Sequence, residues 1–147
     1  MPTPLPAPLI VACPACAAPN RVPLARLGQG KCGKCGAALF HGKPIALTAA
    51  SFDRHAATSD VPLLVDFWAA WCGPCRQFAP VFEAAAHALE PKVRLGKLDT
   101  EAETALAARY AVRSIPSLIL FRKGKEIART AGAMALPSLL QWVRGAL

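Results

Sequence analysis

Three Cys-x-x-Cys pairs divide this chain into two kinds of polypeptide. The first two, Cys13-Pro14-Ala15-Cys16 and Cys32-Gly33-Lys34-Cys35, are 15 residues apart. The third, Cys72-Gly73-Pro74-Cys75, stands apart from them. Two neighbouring pairs at that spacing form two tight knuckles, each aiming two sulfurs at a shared ion, which is the pattern of a zinc ribbon. Cys13, Cys16, Cys32 and Cys35 are therefore candidate ligands of a Zn2+ ion. Four protein ligands leave no open position, so the ion is structural rather than catalytic. Gly33 and Gly36 suit the turns of the second knuckle. So short a segment cannot fold on an apolar core of its own, and metal binding would supply its folding energy. Two further redox pairs are the competing reading. A third is a redox-responsive centre that loses its ion when the thiols are oxidised.

The chain has 147 residues, enough for one full core plus such a module. Its hydrophobic fraction of 54 % predicts a folded protein. No apolar run reaches the roughly 18 residues of a membrane span. The segment Met1–Pro8 is Pro-rich, and no basic residue precedes the short apolar stretch Leu9–Ala12, unlike a secretory leader. A cytoplasmic location is expected, where thiols stay reduced and six cysteines point to metal binding or redox chemistry. The net charge is +8. Residues 1–45 contribute Arg21, Arg26, Lys31, Lys34 and Lys43 without a single acid. A basic ribbon allows an adaptor for nucleic acid or protein as a rival function. Phe40 is the only aromatic residue in that part, so no stacking platform for nucleic acid exists there.

Composition changes near Pro44, placing a boundary at about 43–46 and dividing the chain into a module of residues 1–45 and a domain of residues 46–147. The second part alternates in period. Ser51–Ala57 reads as a short helix and Leu63–Ala69 as a buried strand containing Asp66. A helix follows from about Cys72 to Leu89, with Phe78, Val81, Phe82, Ala85 and Leu89 on one face and Pro80 predicting a kink. Val93–Leu98 is the next strand. Thr100-Glu101-Ala102-Glu103 reads as a capping box opening a helix toward Tyr110. Ser117–Phe121 and Glu126–Ala131 form a hairpin through Lys123-Gly124. A last helix starts near Pro137 with Leu136, Leu139, Leu140, Val143 and Leu147 on its apolar face. This order predicts an α/β fold, a mixed central sheet with helices on both faces. His41, His55 and His87 join no cluster and are expected to face solvent.

A strand leads into Cys72 and a helix leaves it. Free N–H groups and the helix dipole stabilise a thiolate at such a start, so Cys72 is the expected nucleophile. Cys75, one turn further in, is the expected resolving thiol. A metal pair is the alternative, with no second pair nearby in this part.

The segment Trp71-Cys72-Gly73-Pro74-Cys75 resembles the active site of the thioredoxin family. Asp66 matches the family's buried acid, Lys97 the lysine beside it, and Pro80 the proline of the active-site helix. Ile115-Pro116 resembles the loop whose cis-proline faces the disulfide, and Gly124 and Gly132 match late glycines. The resemblance covers about residues 46–147. With the ribbon in front, the whole chain resembles the zinc-containing thioredoxin 2 class of bacteria. Arg76 and Gln77 depart from the lysine and apolar residue common in the short class. The resemblance implies a thioredoxin fold and a protein-disulfide reductase, with Asp66 and Lys97 assisting proton transfer. Trp71, Gly73, Pro74, Ile115, Pro116 and Gly132 would border the substrate. It implies disulfide-containing protein substrates and a flavin-containing thioredoxin reductase as electron donor. No organic cofactor, no membrane and no nucleic acid are expected, and a monomer is. Gly-Pro between the cysteines accompanies reductants in the family, whereas a histidine there accompanies oxidants and isomerases, which remain the alternative direction.

Overall fold

A computed structural model of the chain describes residues 7–147; the first six residues of the Pro-rich Met1–Pro8 tract lie outside the described residues. Two short strands, β1 (Leu9–Ala12) and β2 (Pro19–Val22), pair antiparallel around the first knuckle. Strand β3 (Ile45–Ala46) begins a five-stranded sheet with β4 (Leu63–Trp68), β5 (Arg94–Asp99), β6 (Ser117–Arg122) and β7 (Lys125–Ala131). Its order is β3-β5-β4-β6-β7, with β3 and β4 parallel to β5, and β6 antiparallel to both β4 and β7. The helices are α1 (Gly73–Leu89), α2 (Thr104–Arg109) and α3 (Leu136–Ala146).

Strand β4 is the centre, and its period of two distributes the core. Leu64 turns toward α1 and α3, where Phe78, Phe82, Leu89, Leu139 and Val143 meet it. Leu63, Val65 and Phe67 turn the other way, onto Phe52, Ala56 and Leu106. Helices thus cover both faces of the sheet. Pro80 lies on the exposed side of α1, and the helix continues through it. Lys123 and Gly124 turn the hairpin with φ of 51° and 81°, the left-handed conformation such a turn requires. Gly96 is required for a different reason: a Cβ there would stand 2.5 Å from Leu47 Cδ1.

Several expectations change. The segment before β4 is wound as a π-helix over Arg54–Thr58, a hydrogen-bond register that periodicity does not reveal. Thr100–Glu103 is not a capping box. The Thr100 hydroxyl donates to the Trp68 carbonyl, Asp99 Oδ1 accepts from the N–H groups of Glu101 and Ala102, and Glu103 Oε2 accepts from Ala49 N–H. Helix α2 therefore starts only at Thr104. Leu147 lies past the end of α3 and is 43 % exposed, while Trp142 and Ala146 pack against the core instead. His41 and His87 face solvent, but His55 is buried. Burial and the nearby Arg94 charge push its pKa down to about 4, so the ring is neutral.

Candidate redox site and metal centre

Strand β4 ends at Trp68, and the chain turns through Ala69–Trp71 to place Cys72 at the N-cap of α1. Its extended backbone, φ −84° and ψ 111°, lets the sulfur face back on the first turn, where it accepts from the N–H of Cys75 at 3.2 Å. Pro74 sits in that turn without loss, since no intrahelical partner exists for its missing N–H. Cys72 and Cys75 are joined as a disulfide with their Cα atoms 5.2 Å apart. Both are covered, Cys72 to within 4 % and Cys75 to within 2 % of full burial, by Ala69, Trp68 and Ile115. Cys72 is thus less exposed than its place at a helix start suggests, because the loop before β6 closes over it. That loop carries a cis Ile115–Pro116 bond, and the Ile115 carbonyl oxygen lies 3.8 Å from Cys72 Sγ. Gly132, at φ 94°, donates its N–H to the Pro116 carbonyl at 2.8 Å and so fastens the loop to the end of β7.

Trp71 is 67 % exposed beside the disulfide, its ring N–H donating to Glu101 Oε1 at 3.0 Å. Trp71, Val112, Arg113 and Ile115 line a shallow cleft of about 180 Å³. Gly73 is half-buried, with open space where a Cβ would stand. Arg76 is exposed and donates to the Ala70 carbonyl.

Asp66 is buried on β4, and among the described residues neither carboxylate oxygen has a hydrogen-bond partner. Register sets it opposite Lys97 on β5, whose Nζ lies 4.4 Å over the Trp68 ring. Burial pushes the Asp66 carboxyl up to about 7, against the downward pull of Lys97. It changes charge near neutral pH, which a group moving a proton must do.

The first two cysteine pairs form matching knuckles. Cys13 N–H bonds to the Ala18 carbonyl and Ala17 N–H to the Cys13 carbonyl; Cys32 with Ala37, and Gly36 with Cys32, repeat the pattern. Ala17 (φ 63°) and Gly36 (φ 80°) occupy the same left-handed place. The four sulfurs lie within 4.8 Å of one another. Their hydrogen-bond contacts run between knuckles, Cys13 to Cys35 and Cys16 to Cys32, both at 3.6 Å. A tetrahedral site with metal–sulfur bonds of about 2.3 Å has sulfur–sulfur edges of about 3.8 Å, so the cluster is suited to one shared ion. N–H groups of Ala15, Cys16 and Lys34 and the Asn20 amide point at Cys13 and Cys32 sulfurs, as they would at thiolates. Donation from the backbone at Cys35 and from Asn20 lowers Cys32 to about 6.

Sequence patterns assigned no site role to Asn20, Glu101, His55 or Arg94. Asn20 bridges the knuckles, accepting from Gly33 N–H at 2.9 Å. Arg94, at the start of β5, is 2 % exposed. It is one of three charged residues in β5, with Lys97 and Asp99, so nothing in the sequence marked it out.

A dithiol–disulfide couple at the N-terminus of the helix that follows the central strand, faced by a cis-proline loop, defines a thiol–disulfide oxidoreductase of the thioredoxin fold. A family model described as Thioredoxin matches residues 43–145, and one described as Thioredoxin 2, N-terminal, matches residues 12–37. Thioredoxin C-3 of Corynebacterium nephridii is 43 % identical over 92 % of this chain and 93 % of its own length. Thioredoxin 1 of Nostoc is 41 % identical over 65 % of this chain and 89 % of its own. A solved mutant thioredoxin from Halobacterium salinarum superposes with a TM-score of 0.66 at 29 % identity, covering 73 % of this chain and 93 % of that one. The chain belongs to the thioredoxin family, with an N-terminal cysteine module resembling the zinc ribbon of the thioredoxin 2 type. No helix among the described residues is long and apolar enough to cross a membrane.

Proposed function

We propose that this protein is a protein-disulfide reductase in which Cys72 is the nucleophile and Cys75 the resolving thiol. The observation that carries the reading is the N-cap position of Cys72, whose sulfur accepts from the α1 backbone at 3.2 Å. The same donor and the helix dipole hold a Cys72 thiolate once the pair is reduced. That thiolate attacks a substrate disulfide, displacing one substrate sulfur as thiolate and forming a mixed disulfide. Cys75, giving its proton to Asp66, then attacks Cys72 Sγ, and the second substrate sulfur leaves. Two electrons pass to the substrate and the Cys72–Cys75 bond is restored. Lys97 holds the Asp66 proton affinity within the neutral range.

An extended substrate segment would lie across Trp71, Gly73, Pro74, Ile115 and Gly132, pairing with backbone groups beside Pro116. The partners proposed are disulfide-containing proteins on one side and a flavin-containing thioredoxin reductase on the other, in the cytoplasm. The chain divides near residues 43–46 into a metal module and a redox domain. Cys13, Cys16, Cys32 and Cys35 would hold Zn2+, which supplies folding energy to the module rather than chemistry to the reaction.

A Cys75→Ser variant should accumulate substrate proteins as mixed disulfides on Cys72, and Cys72→Ser should accumulate none. Thioredoxins as a class sit near about −270 mV, a family value and not one obtained from these residues. A Cys72–Cys75 potential in that region supports reduction. A value above roughly −200 mV, or trapping by the wrong cysteine, sinks the assignment.

A further inference from the structure

Arg94 opens β5, yet among the described residues its guanidinium contacts fall on the N-terminal module and on the helix end beside it. Nη2 donates to the carbonyl of Ala12 at 3.0 Å and to that of Leu39 at 2.7 Å. Nη1 lies 3.4 Å from Glu90 Oε1, with both side chains 3 % exposed. The guanidinium carbon sits 4.3 Å over the Phe40 ring.

The acceptors matter because of where they are. Cys13 N–H bonds inward to Ala18, so the hairpin alternation turns the backbone groups of Ile10 and Ala12 outward, away from β2. Those groups would be an open strand edge. Instead, Ile10 exchanges bonds with Asp60: Ile10 N–H donates to Asp60 Oδ2, and Asp60 N–H to the Ile10 carbonyl, both at 2.7 Å. The Ala12 carbonyl, adjacent to the ligand Cys13, is taken by Arg94. Leu39 closes the second knuckle, its own N–H bonding to Gly30. One planar fork thus ties together the two segments that carry the two sulfur pairs. Only arginine offers several rigid donors, a stacking face and a fixed positive charge together.

We infer that Arg94 is a positioning residue for the metal centre, so that the redox domain sets part of the module's affinity for its ion. The inference rests on the zinc reading above. A tetrathiolate around a divalent cation carries two negative charges, and the buried guanidinium, bonded to the carbonyl next to Cys13, offsets part of that charge. By linkage, the ion in turn holds the module against β5.

Removing Arg94 alone would strand a buried carboxyl, so the test variant is Arg94→Met combined with Glu90→Gln. Wild type and variant are compared in Zn2+ affinity by competition with a chromophoric chelator, and in the absorption spectrum of bound Co2+. The unfolding midpoint of the metal-free proteins is measured alongside. Loss of an outer contact of this kind lowers metal affinity about 10–100-fold. The expected result is a loss in that range with a shifted Co2+ band, beyond any change in metal-free stability. Affinity within about twofold of wild type overturns the inference. Should the double variant fail to fold, Arg94→Lys keeps the charge but cannot bond both carbonyls and stack on Phe40. It should weaken Zn2+ in the same direction, and unchanged affinity there is equally fatal. Wild type that binds no Zn2+ removes the metal reading, and the inference with it. Wild type that binds one ion as tightly as the variants removes only the inference.

Discussion

Asp66 sits on β4 between Val65 and Phe67, 1 % exposed, with both carboxylate oxygens unbonded among the described residues. Its carboxyl is held up to about 7 by burial, against about 3.9 in an unfolded chain. Between about pH 4 and pH 7 the folded state therefore keeps a proton that the unfolded state releases, and stability falls as pH rises through that window. Asp66→Asn should raise the unfolding free energy at pH 8 by something on the order of 2–4 kcal/mol, and by almost nothing below pH 4. Urea midpoints at the two pH values check this. Equal gains at both would show that ionisation is not the cause. On the proposed mechanism, the same variant should slow the resolving step, because Cys75 would lose its proton acceptor. On that mechanism, stability and rate are set against each other at this one residue.

The two knuckles share one backbone pattern but differ in the residue at its left-handed place. Gly36 takes its left-handed φ freely, whereas Ala17 holds φ 63° with a Cβ. For an L-residue that conformation costs roughly 1–2 kcal/mol, partly offset by the lower chain entropy of alanine when unfolded. Ala17→Gly should therefore stabilise the metal-bound module by up to about 1 kcal/mol, read as slower Zn2+ loss to excess chelator. Faster loss would mean that Ala17 contributes packing that outweighs the strain. The redox element shows the complementary case. The helix start of α1 serves Cys72 because Gly73 and Pro74 ask nothing of the backbone there, and the first turn is left to cap the sulfur.

Across the whole molecule the module and the redox domain share contacts rather than lying side by side. Val61 completes the small apolar cluster of Val11, Val22 and Leu39, Asp60 takes the Ile10 backbone groups, and Arg94 takes the Ala12 and Leu39 carbonyls. Removing the proposed Zn2+ should then lower the midpoint of the whole transition, followed by tryptophan fluorescence and in the sheet signal. At a free ion concentration about 100 times Kd the difference is about 2.7 kcal/mol, several degrees for a domain of this size. A core midpoint unmoved by metal, with a separate small loss at lower temperature, would show that the module melts alone.

The α/β order, the hairpin at Lys123-Gly124, the redox helix and the cysteine cluster were all legible along the chain, because the first three depend on local period or turn residues and the last on two matched pairs 15 residues apart. The thioredoxin resemblance of Trp71–Cys75 did the rest for the redox site. Asp66 and Lys97 could be named, but only the register of β4 against β5 makes them neighbours. Thr100–Glu103 has the letters of a capping box, yet Thr100 is drawn off to Trp68 and Glu103 to Ala49, partners 32 and 54 residues away. His55 and Arg94 look like surface residues, since nothing near them in the chain says that a second segment will cover them. Local conformation is chosen by adjacent residues and can be read from them. Burial, pairing and the shift of a pKa depend on residues brought together from distant parts of the chain, and only the folded molecule supplies those.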